Sequence, residues 1–138
     1  MNTDENKAVV RRFFEEAFNQ GNLAAIDDLW IAGGEASGKR SLMNIRTAFP
    51  DYHRTIEQQL AEDDLVTTRW TARGTHQGAF FSAALGRSIP PTGNVVQASG
   101  ISIHQVADGR IVASWVMGND SLELLQQLGA IPATAVAR

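Results

Sequence analysis

Asp120 is the residue in this sequence best suited to acid/base chemistry. It lies between a strand-like stretch, Arg110 to Met117, and the apolar helix-like stretch SLELLQQLG. A carboxylate where a sheet meets a helix can be partly withdrawn from water, and desolvation raises its pKa. Such a group can accept and donate a proton near neutral pH. The position therefore predicts a general acid/base at Asp120. The same residue could instead cap the last helix, with Glu123 completing a capping box.

Three histidines are the other groups that could move protons near neutral pH. His76 is predicted to share a strand face with Trp70, where it could donate a proton or simply lie at the rim of the sheet. His104 is predicted to share a hairpin face with Trp115, and that face could line a pocket or a dimer surface. His53 is expected to be exposed. The spacing of the histidines matches no metal-binding pattern, and there is no cysteine, so we predict no metal site.

A hairpin over residues 95–117 must position these groups. Asp108-Gly109 is a strong signal for a type I′ turn, because both central residues of that turn need positive φ. The flanking stretches are rich in β-branched residues and read as two antiparallel strands. Counting outward from the turn predicts three cross-strand neighbours: His104 with Ala113, Ser102 with Trp115, and Ile103 with Ser114.

Helices are expected to come before the strands. Apolar residues from Val9 to Phe18 recur at three- and four-residue spacing, which predicts a first helix capped by Thr3 or Asp4. A second helix is predicted over 23–30, a mobile loop over 30–40, and a third helix from Ser41 to the residue before Pro50. Strands are predicted over 55–60 and 65–76, followed by a loop over 78–93. Segregated helices and sequential strands indicate an α+β fold with a curved antiparallel sheet around the helices.

Composition limits the function further. The chain has 138 residues and a formal net charge of −3, with 43% hydrophobic residues. We interpret it as one domain over 1–138 with a frayed tail at 130–138. No basic cluster predicts nucleic-acid binding, and no apolar run is long enough to span a membrane. An acidic, polar N-terminus is not a signal peptide, so we expect a cytoplasmic protein.

Several segments resemble the SnoaL-like polyketide cyclases, also called ester cyclases. They are AFPDYH, RWTARGTH, PPTG, DGRIVASW and DSLELLQQLG, in this order over most of the chain. The resemblance implies the nuclear-transport-factor-2-like superfold, a cone-shaped half-barrel with an internal apolar pocket that is often dimeric. It also implies ring closure by aldol condensation without metal or organic cofactor, with Asp120 at the acid/base position.

From this resemblance we expect an apolar, carbonyl-rich small molecule as substrate and a homodimer as the assembly. Many relatives carry a histidine where this chain has Ser114 and a longer polar segment where it has IAGGEASGKR, which points to an altered substrate. Non-catalytic ligand binding, dimerisation, or isomerase, hydrolase or hydroxylase chemistry in the same pocket are the alternatives. The residues expected at the site are Asp120 and His76 for catalysis, and Trp70, Phe14, Phe18, Trp30, His104, Trp115 and Ser114 for substrate binding.

Overall fold

Four antiparallel strands form a sheet against the N-terminal helices in a computed structural model, which describes residues 2–31, 35–118 and 121–132. The side chains of residues 35–37, 121 and 122 are not part of that description. The helices are α1 (Thr3–Arg12), a π-helix (Phe13–Asn19), α2 (Ala24–Leu29), α3 (Glu35–Ala48) and α4 (Ser121–Gln127). The strands are β1 (His53–Glu62), β2 (Leu65–Thr75), β3 (Phe80–Ser82), β4 (Arg87–Ile89), β5 (Val95–Ala107) and β6 (Arg110–Gly118).

The predicted α+β class and curved antiparallel sheet are confirmed. Strand order in the main sheet is β1-β2-β5-β6, and β3 and β4 form a separate two-stranded hairpin. One face of the main sheet is buried against α1 and the π-helix, and the other faces outward. We call these the inner and outer faces. In β2 the alternation is regular, with Trp70 buried and Arg69 and Arg73 exposed, as the sequence predicts.

The first helix begins one residue earlier than expected. Asn2, and not Thr3 or Asp4, is the N-cap, because its Oδ1 accepts a hydrogen bond from the backbone N–H of Glu5 at 2.8 Å. The helix then continues as the π-helix. The adjacent residues Phe13 and Phe14 of this π-helix are both buried.

The predicted loop over 30–40 is wrong in its second half, because α3 already begins at Glu35. Five of the six residues from 35 to 40 are compatible with a helix, and only Gly38 opposes one, by about 1 kcal/mol relative to alanine. An ion pair of 2.7 Å between Lys39 and Asp27 joins this helix to α2. The segment 32–34 and the tail 133–138 lie outside the described residues.

The predicted loop over 78–93 contains the β3–β4 hairpin, which the sequence analysis missed. Phe80 pairs with Ile89 in this hairpin, and its ring lies 6.0 Å from that of Phe49 on the segment after α3. Three-residue strands carry too little alternation to be recognised by pattern. Burial of Phe80 and Ile89 against the core stabilises the hairpin instead.

The β5–β6 turn is confirmed, but the predicted register is wrong by one residue. Asp108 and Gly109 have φ of 51° and 76°, as a type I′ turn requires. A bulge then leaves Val112 without a partner, since Val106 pairs with Ile111 but Gln105 pairs with Ala113. The observed neighbours are therefore His104 with Ser114, Ile103 with Trp115, and Ser102 with Val116.

Because side chains alternate along a strand, this shift separates two residues that were expected to share a face. His104 is on the inner face and is 2% exposed, whereas Trp115 is on the outer face and is 56% exposed. The prediction that Trp115 shares a face with His104 is thus wrong.

Helix α4 closes the edge of β5 beyond the end of β6. The side-chain amide of Gln127 accepts a hydrogen bond from the N–H of Gln97 at 2.8 Å and donates one to its carbonyl at 2.9 Å. The side chain of Gln127 thus pairs with the backbone of β5 at a position that β6 does not reach. Among the helices within the described ranges, none is both long and apolar enough to cross a bilayer.

Candidate functional site

His104 occupies an aromatic environment on the inner face. Its ring centroid lies 5.9 Å from that of Phe13 and 6.3 Å from that of Phe14, edge to face in both cases. Burial, and then the positive charge of Arg54, lower the pKa of His104 to about 4. The imidazole is therefore neutral at pH 7. Its Nδ1 atom is buried and forms no hydrogen bond with the described residues.

Arg54 brings a positive charge to the same face. Its guanidinium carbon lies over the ring of Phe18 at 3.8 Å from the centroid and over Trp70 at 4.0 Å, both within cation–π distance. Its Nε–H donates a hydrogen bond of 2.9 Å to the hydroxyl of Tyr52. The ion pairs observed in the described parts of the chain do not include Arg54.

The backbone of Arg54 is held by the π-helix. The side chain of Asn19 accepts a hydrogen bond from the Arg54 N–H at 2.7 Å and donates one to its carbonyl at 2.9 Å. The sequence analysis missed Arg54 because it began this strand at Thr55. Extending the alternation back from Ile56 would have placed Arg54 on the inner face.

Trp70 forms the wall of the inner face near the end of β6. Its Nε1–H donates a hydrogen bond of 2.9 Å to Ser102 Oγ. The ring fits there because Gly100 has no side chain: a Cβ on Gly100 would lie 2.5 Å from Trp70 Cζ2. Gly118 is also a neighbour, and a Cβ there would be in ordinary contact, 3.6 Å from Cη2. The indole therefore packs against the strand that leads, two residues later in sequence, to Asp120.

Asp120, the predicted acid/base, lies outside the described residues together with Asn119. Gly118, which precedes this pair, and Glu123, three residues after Asp120, both line a cavity of about 470 Å³. Arg69, Ile101 and Met117 also line it, so this cavity opens on the outer side of the sheet. A second cavity of about 450 Å³ lies between the π-helix and β1, with Phe14 and Arg54 in its lining.

His76 lies far from His104. Val66 pairs with His104, and His76 follows β2 ten positions later, about 33 Å along a strand. Its Nδ1 accepts a hydrogen bond of 3.1 Å from the N–H of Thr92, so its ring fixes the turn at Pro90–Gly93. Burial lowers the pKa of His76, opposed by the backbone of Gly78 and Ile89. The structure does not bring the two histidines together.

The remaining candidates divide between the two faces. Phe14 and Phe18 lie in the cluster around Arg54, at 5.3 Å and 3.8 Å from its guanidinium carbon to their ring centroids. Trp30 packs edge to face on Phe13 at 5.6 Å. Ser114 is half-buried opposite His104. Trp115 alone of this group lies on the outer face. Within the described residues, no three side chains of His, Cys, Asp or Glu converge as a metal site would require.

The candidate site is therefore an aromatic inner face that carries one neutral imidazole and one guanidinium. Such an arrangement suits a flat, partly apolar ligand with an oxygen that carries or develops negative charge. The half-buried rings of Phe18 and Trp30 retain some exposed surface, whereas Phe14 and Trp70 are 1% and 4% exposed. The imidazole and the guanidinium provide hydrogen-bond donors.

Comparison with known proteins identifies the family. Residues 8–128 match the SnoaL-like polyketide cyclase family. AclR from Streptomyces galilaeus, a proposed hydroxylase, is 27% identical, with a TM-score of 0.80 over 95% of this chain and 85% of AclR. IdmH from Streptomyces antibioticus, a proposed polyketide cyclase, is 26% identical, with a TM-score of 0.73 over 90% of this chain and 98% of IdmH.

TsrD from Streptomyces laurentii is similar in fold. It is 22% identical, with a TM-score of 0.79 over 95% of this chain and 99% of TsrD. No curated protein matches the sequence of the chain.

Proposed function

Because the chain belongs to the SnoaL-like polyketide cyclase family, we propose that it is a cofactor-independent enzyme that closes a ring in an apolar, carbonyl-rich molecule. Asp120 is the general acid/base in this proposal. The family match extends across residue 120, and the observation that carries the proposal is the packing of Trp70 against Gly118, two residues before it. A flat substrate that lies on the inner-face aromatic rings would present its reacting carbon near this end of the sheet.

The reaction needs one proton carrier. The Asp120 carboxylate takes a proton from the carbon between two carbonyl groups, and the resulting enolate carbon attacks a second carbonyl carbon of the same molecule. A carbon–carbon bond forms, the attacked carbonyl becomes an alkoxide, and the carboxyl group returns its proton to that oxygen. An apolar environment favours this cycle, because desolvation raises the pKa of a carboxyl group towards neutrality.

Proton exchange in heavy water tests this step without knowledge of the natural substrate. An aromatic β-keto ester loses its methylene proton signal in NMR when the enzyme exchanges that proton for deuterium. We expect Asp120→Asn to slow the enzyme-dependent exchange by about 100-fold or more, the range for removal of a general base. Asp108→Asn in the exposed β5–β6 turn is the matched control. Equal exchange rates for Asp120→Asn and the unmodified protein would refute the assignment.

Hydroxylation is the second candidate activity, favoured by the similarity to AclR. Both reactions can begin with a carbanion next to a carbonyl group, so Asp120 has the same first task in each. Incubation of a β-keto ester in air, followed by mass spectrometry, separates them. Dioxygen adds to the carbanion as a hydroperoxide, with two added oxygen atoms, and an added thiol reductant converts it to the alcohol and water, with one. Either mass indicates hydroxylation, whereas a cyclised aldol product has the mass of the substrate.

A non-catalytic ligand-binding role is the third candidate. The reduced polar inventory of the inner face favours it, because Ser114, opposite His104, stands where many SnoaL-like proteins carry a histidine. In that case the β-keto ester binds without exchange of its protons for deuterium, in the unmodified protein and in Asp120→Asn alike.

The outer face supports a homodimer as the assembly. Two cross-strand pairs of exposed apolar residues lie next to each other there, Ile101 with Met117 and Ile103 with Trp115. Exposed apolar patches of this kind mark association sites. A second copy of the chain fits the patch, because an isologous interface brings the same apolar side chains of both copies together. Arg69, the exposed neighbour of Ile101 on β2, borders the patch.

A further inference from the structure

We propose that Arg54 and His104 form an anion-binding subsite, which holds the carboxylate or enolate oxygen of a planar conjugated ligand. This inference rests on the proposed function, because it assumes that the inner face binds the substrate and then names the chemical class of that substrate. It assigns a role to Arg54, which the acid/base cycle of Asp120 does not use.

The bonding of Arg54 leaves a specific set of donors. A guanidinium has five N–H groups in one plane. Of these, Nε–H is taken by the Tyr52 hydroxyl, and the rings of Phe18 and Trp70 cover the guanidinium without taking its in-plane hydrogens. The two terminal nitrogens make no hydrogen bond or ion pair with residues 2–31, 35–118 or 121–132. They retain the planar fork geometry that binds two oxygens of one anion.

Electrostatics favours an anion here over a neutral oxygen. A half-buried guanidinium has lost some of its contacts with water, which costs free energy. Each cation–π contact returns about 0.5–2 kcal/mol, and this offsets only part of that cost. The described chain places no carboxylate on Arg54. A ligand anion would therefore supply the missing charge in an environment with little screening by water.

His104 adds a second, independent sign of a ligand. It is 2% exposed, and its Nδ1 is buried without a hydrogen-bond partner among the described residues. A buried polar atom of this kind destabilises the protein unless a ligand or water satisfies it. A neutral imidazole offers one N–H and one acceptor nitrogen, so it can donate to the same oxygen that Arg54 holds.

Arg54 and Phe14 line a cavity of about 450 Å³, which is large enough for a ligand of two fused rings. Glu15 and Glu57 line it as well, so a bound anion must lie against Arg54 and away from these two carboxylates. His104 does not line this cavity, but its ring lies 6.3 Å from that of Phe14, which does.

Two probes that differ only in charge test the subsite. 2-Naphthoate and 2-naphthamide have the same rings and nearly the same shape, and only the first is an anion at pH 7. By isothermal titration calorimetry we expect the unmodified protein to bind naphthoate about tenfold or more tightly than naphthamide, since hydrogen bonds to a charged group contribute about 1.5–3 kcal/mol. Equal affinities, or no saturable binding of naphthoate, would overturn the inference.

Substitutions test whether Arg54 is responsible for the preference for naphthoate over naphthamide. Arg54→Met keeps an unbranched side chain against the rings and should abolish the preference for naphthoate, whereas Arg54→Lys should retain part of it. Arg73→Met, on the outer face, is the matched control and should retain all of it. Circular dichroism and the melting temperature establish that each variant is folded. A preference that survives in Arg54→Met would refute a role for this residue.

NMR of the unmodified protein tests the contribution of His104 without any substitution. Naphthoate should shift the ring-proton signals of His104 in a saturable manner and raise its pKa, because a nearby anion stabilises the imidazolium form. His76, which lies ten positions after Val66, the strand partner of His104, serves as the internal control. Signals of His104 that do not respond would exclude it from the subsite.

Asp120→Asn separates this inference from the proposed function. This variant should bind naphthoate at least as tightly as the unmodified protein while it loses deuterium exchange. If exchange persists and the naphthoate preference also persists, the acid/base proposal fails and the subsite stands. If exchange is lost but the two probes bind equally, the subsite fails and the acid/base proposal stands.

Discussion

The indole N–H of Trp70 donates a hydrogen bond of 2.9 Å to Ser102 Oγ, at a position where Trp70 is 4% exposed and Ser102 is fully buried. This bond joins β2 to β5 across the inner face and fixes the orientation of the ring that lies next to Arg54 and Gly118. The aromatic wall of the candidate site therefore depends on a polar contact inside the core.

Removal of the acceptor should destabilise the protein. Ser102→Ala leaves the buried indole N–H without a partner, so we expect the free energy of unfolding to fall by about 1–3 kcal/mol in urea denaturation. Ser88→Ala, at an exposed position in β4, should have almost no effect. In the double variant with Trp70→Phe, the Ser102→Ala change should have a smaller effect, and strictly additive losses would show that the bond contributes nothing.

Two glycine substitutions should act in opposite directions. Gly100→Ala places a Cβ 2.5 Å from Trp70 Cζ2 and 2.9 Å from the Met117 carbonyl oxygen, so overpacking should reduce stability by about 1–3 kcal/mol. Gly38→Ala in α3 meets only ordinary contacts with Ile26, the nearest at 3.6 Å, and should increase stability by about 1 kcal/mol through helix propensity. Melting temperatures of the two variants provide the comparison. A neutral Gly100→Ala would contradict the tight packing of Trp70 on β5.

The buried His104 should make stability depend on pH. Its pKa is lowered to about 4 in the folded protein, so between the ordinary value of 6.5 and about 4 the unfolded chain binds more protons. The contribution of His104 to the free energy of unfolding is complete above pH 6.5. It is lost as the pH falls from 6.5 to about 4, for a total of about 3 kcal/mol. Urea denaturation between pH 7 and pH 4 measures it.

His104→Leu should reduce this dependence without removing it, since burial also lowers the pKa of His76. An NMR titration in which His104 becomes protonated near pH 6.5 would contradict the assignment of a buried, neutral imidazole.

The outer face should determine the oligomeric state. Trp115→Lys places a charge in the centre of the exposed apolar patch, so we expect the dimer dissociation constant to rise by about 30-fold or more, as for loss of an aromatic interface residue. Light scattering after size-exclusion chromatography measures the mass. Leu85→Lys, also exposed and apolar but in the β3–β4 turn, should leave the dimer intact. A monomeric unmodified protein at micromolar concentration would refute the dimer.

Local chemistry explains why much of the fold could be predicted. Asp108-Gly109 needs positive φ at both positions, which few other dipeptides tolerate, and the regular alternation in β2 needs no distant partner to be recognised. The motifs that resemble the SnoaL-like polyketide cyclases predict the family from the sequence, and the match over 8–128 confirms it. Asp120 stays a prediction from the sequence, because it lies outside the described residues.

The sequence by itself thus determined the fold class, the family, and the burial of Trp70 opposite the exposed Arg69 and Arg73, since each follows from periodicity or from turn chemistry within a few residues. The tertiary structure alone decided which side chains meet. The bulge at Val112 moved Trp115 to the outer face and paired His104 with Ser114, and Asn19 fixed the backbone of Arg54. A bulge or a side-chain clamp depends on contacts between distant segments, and no local pattern records them.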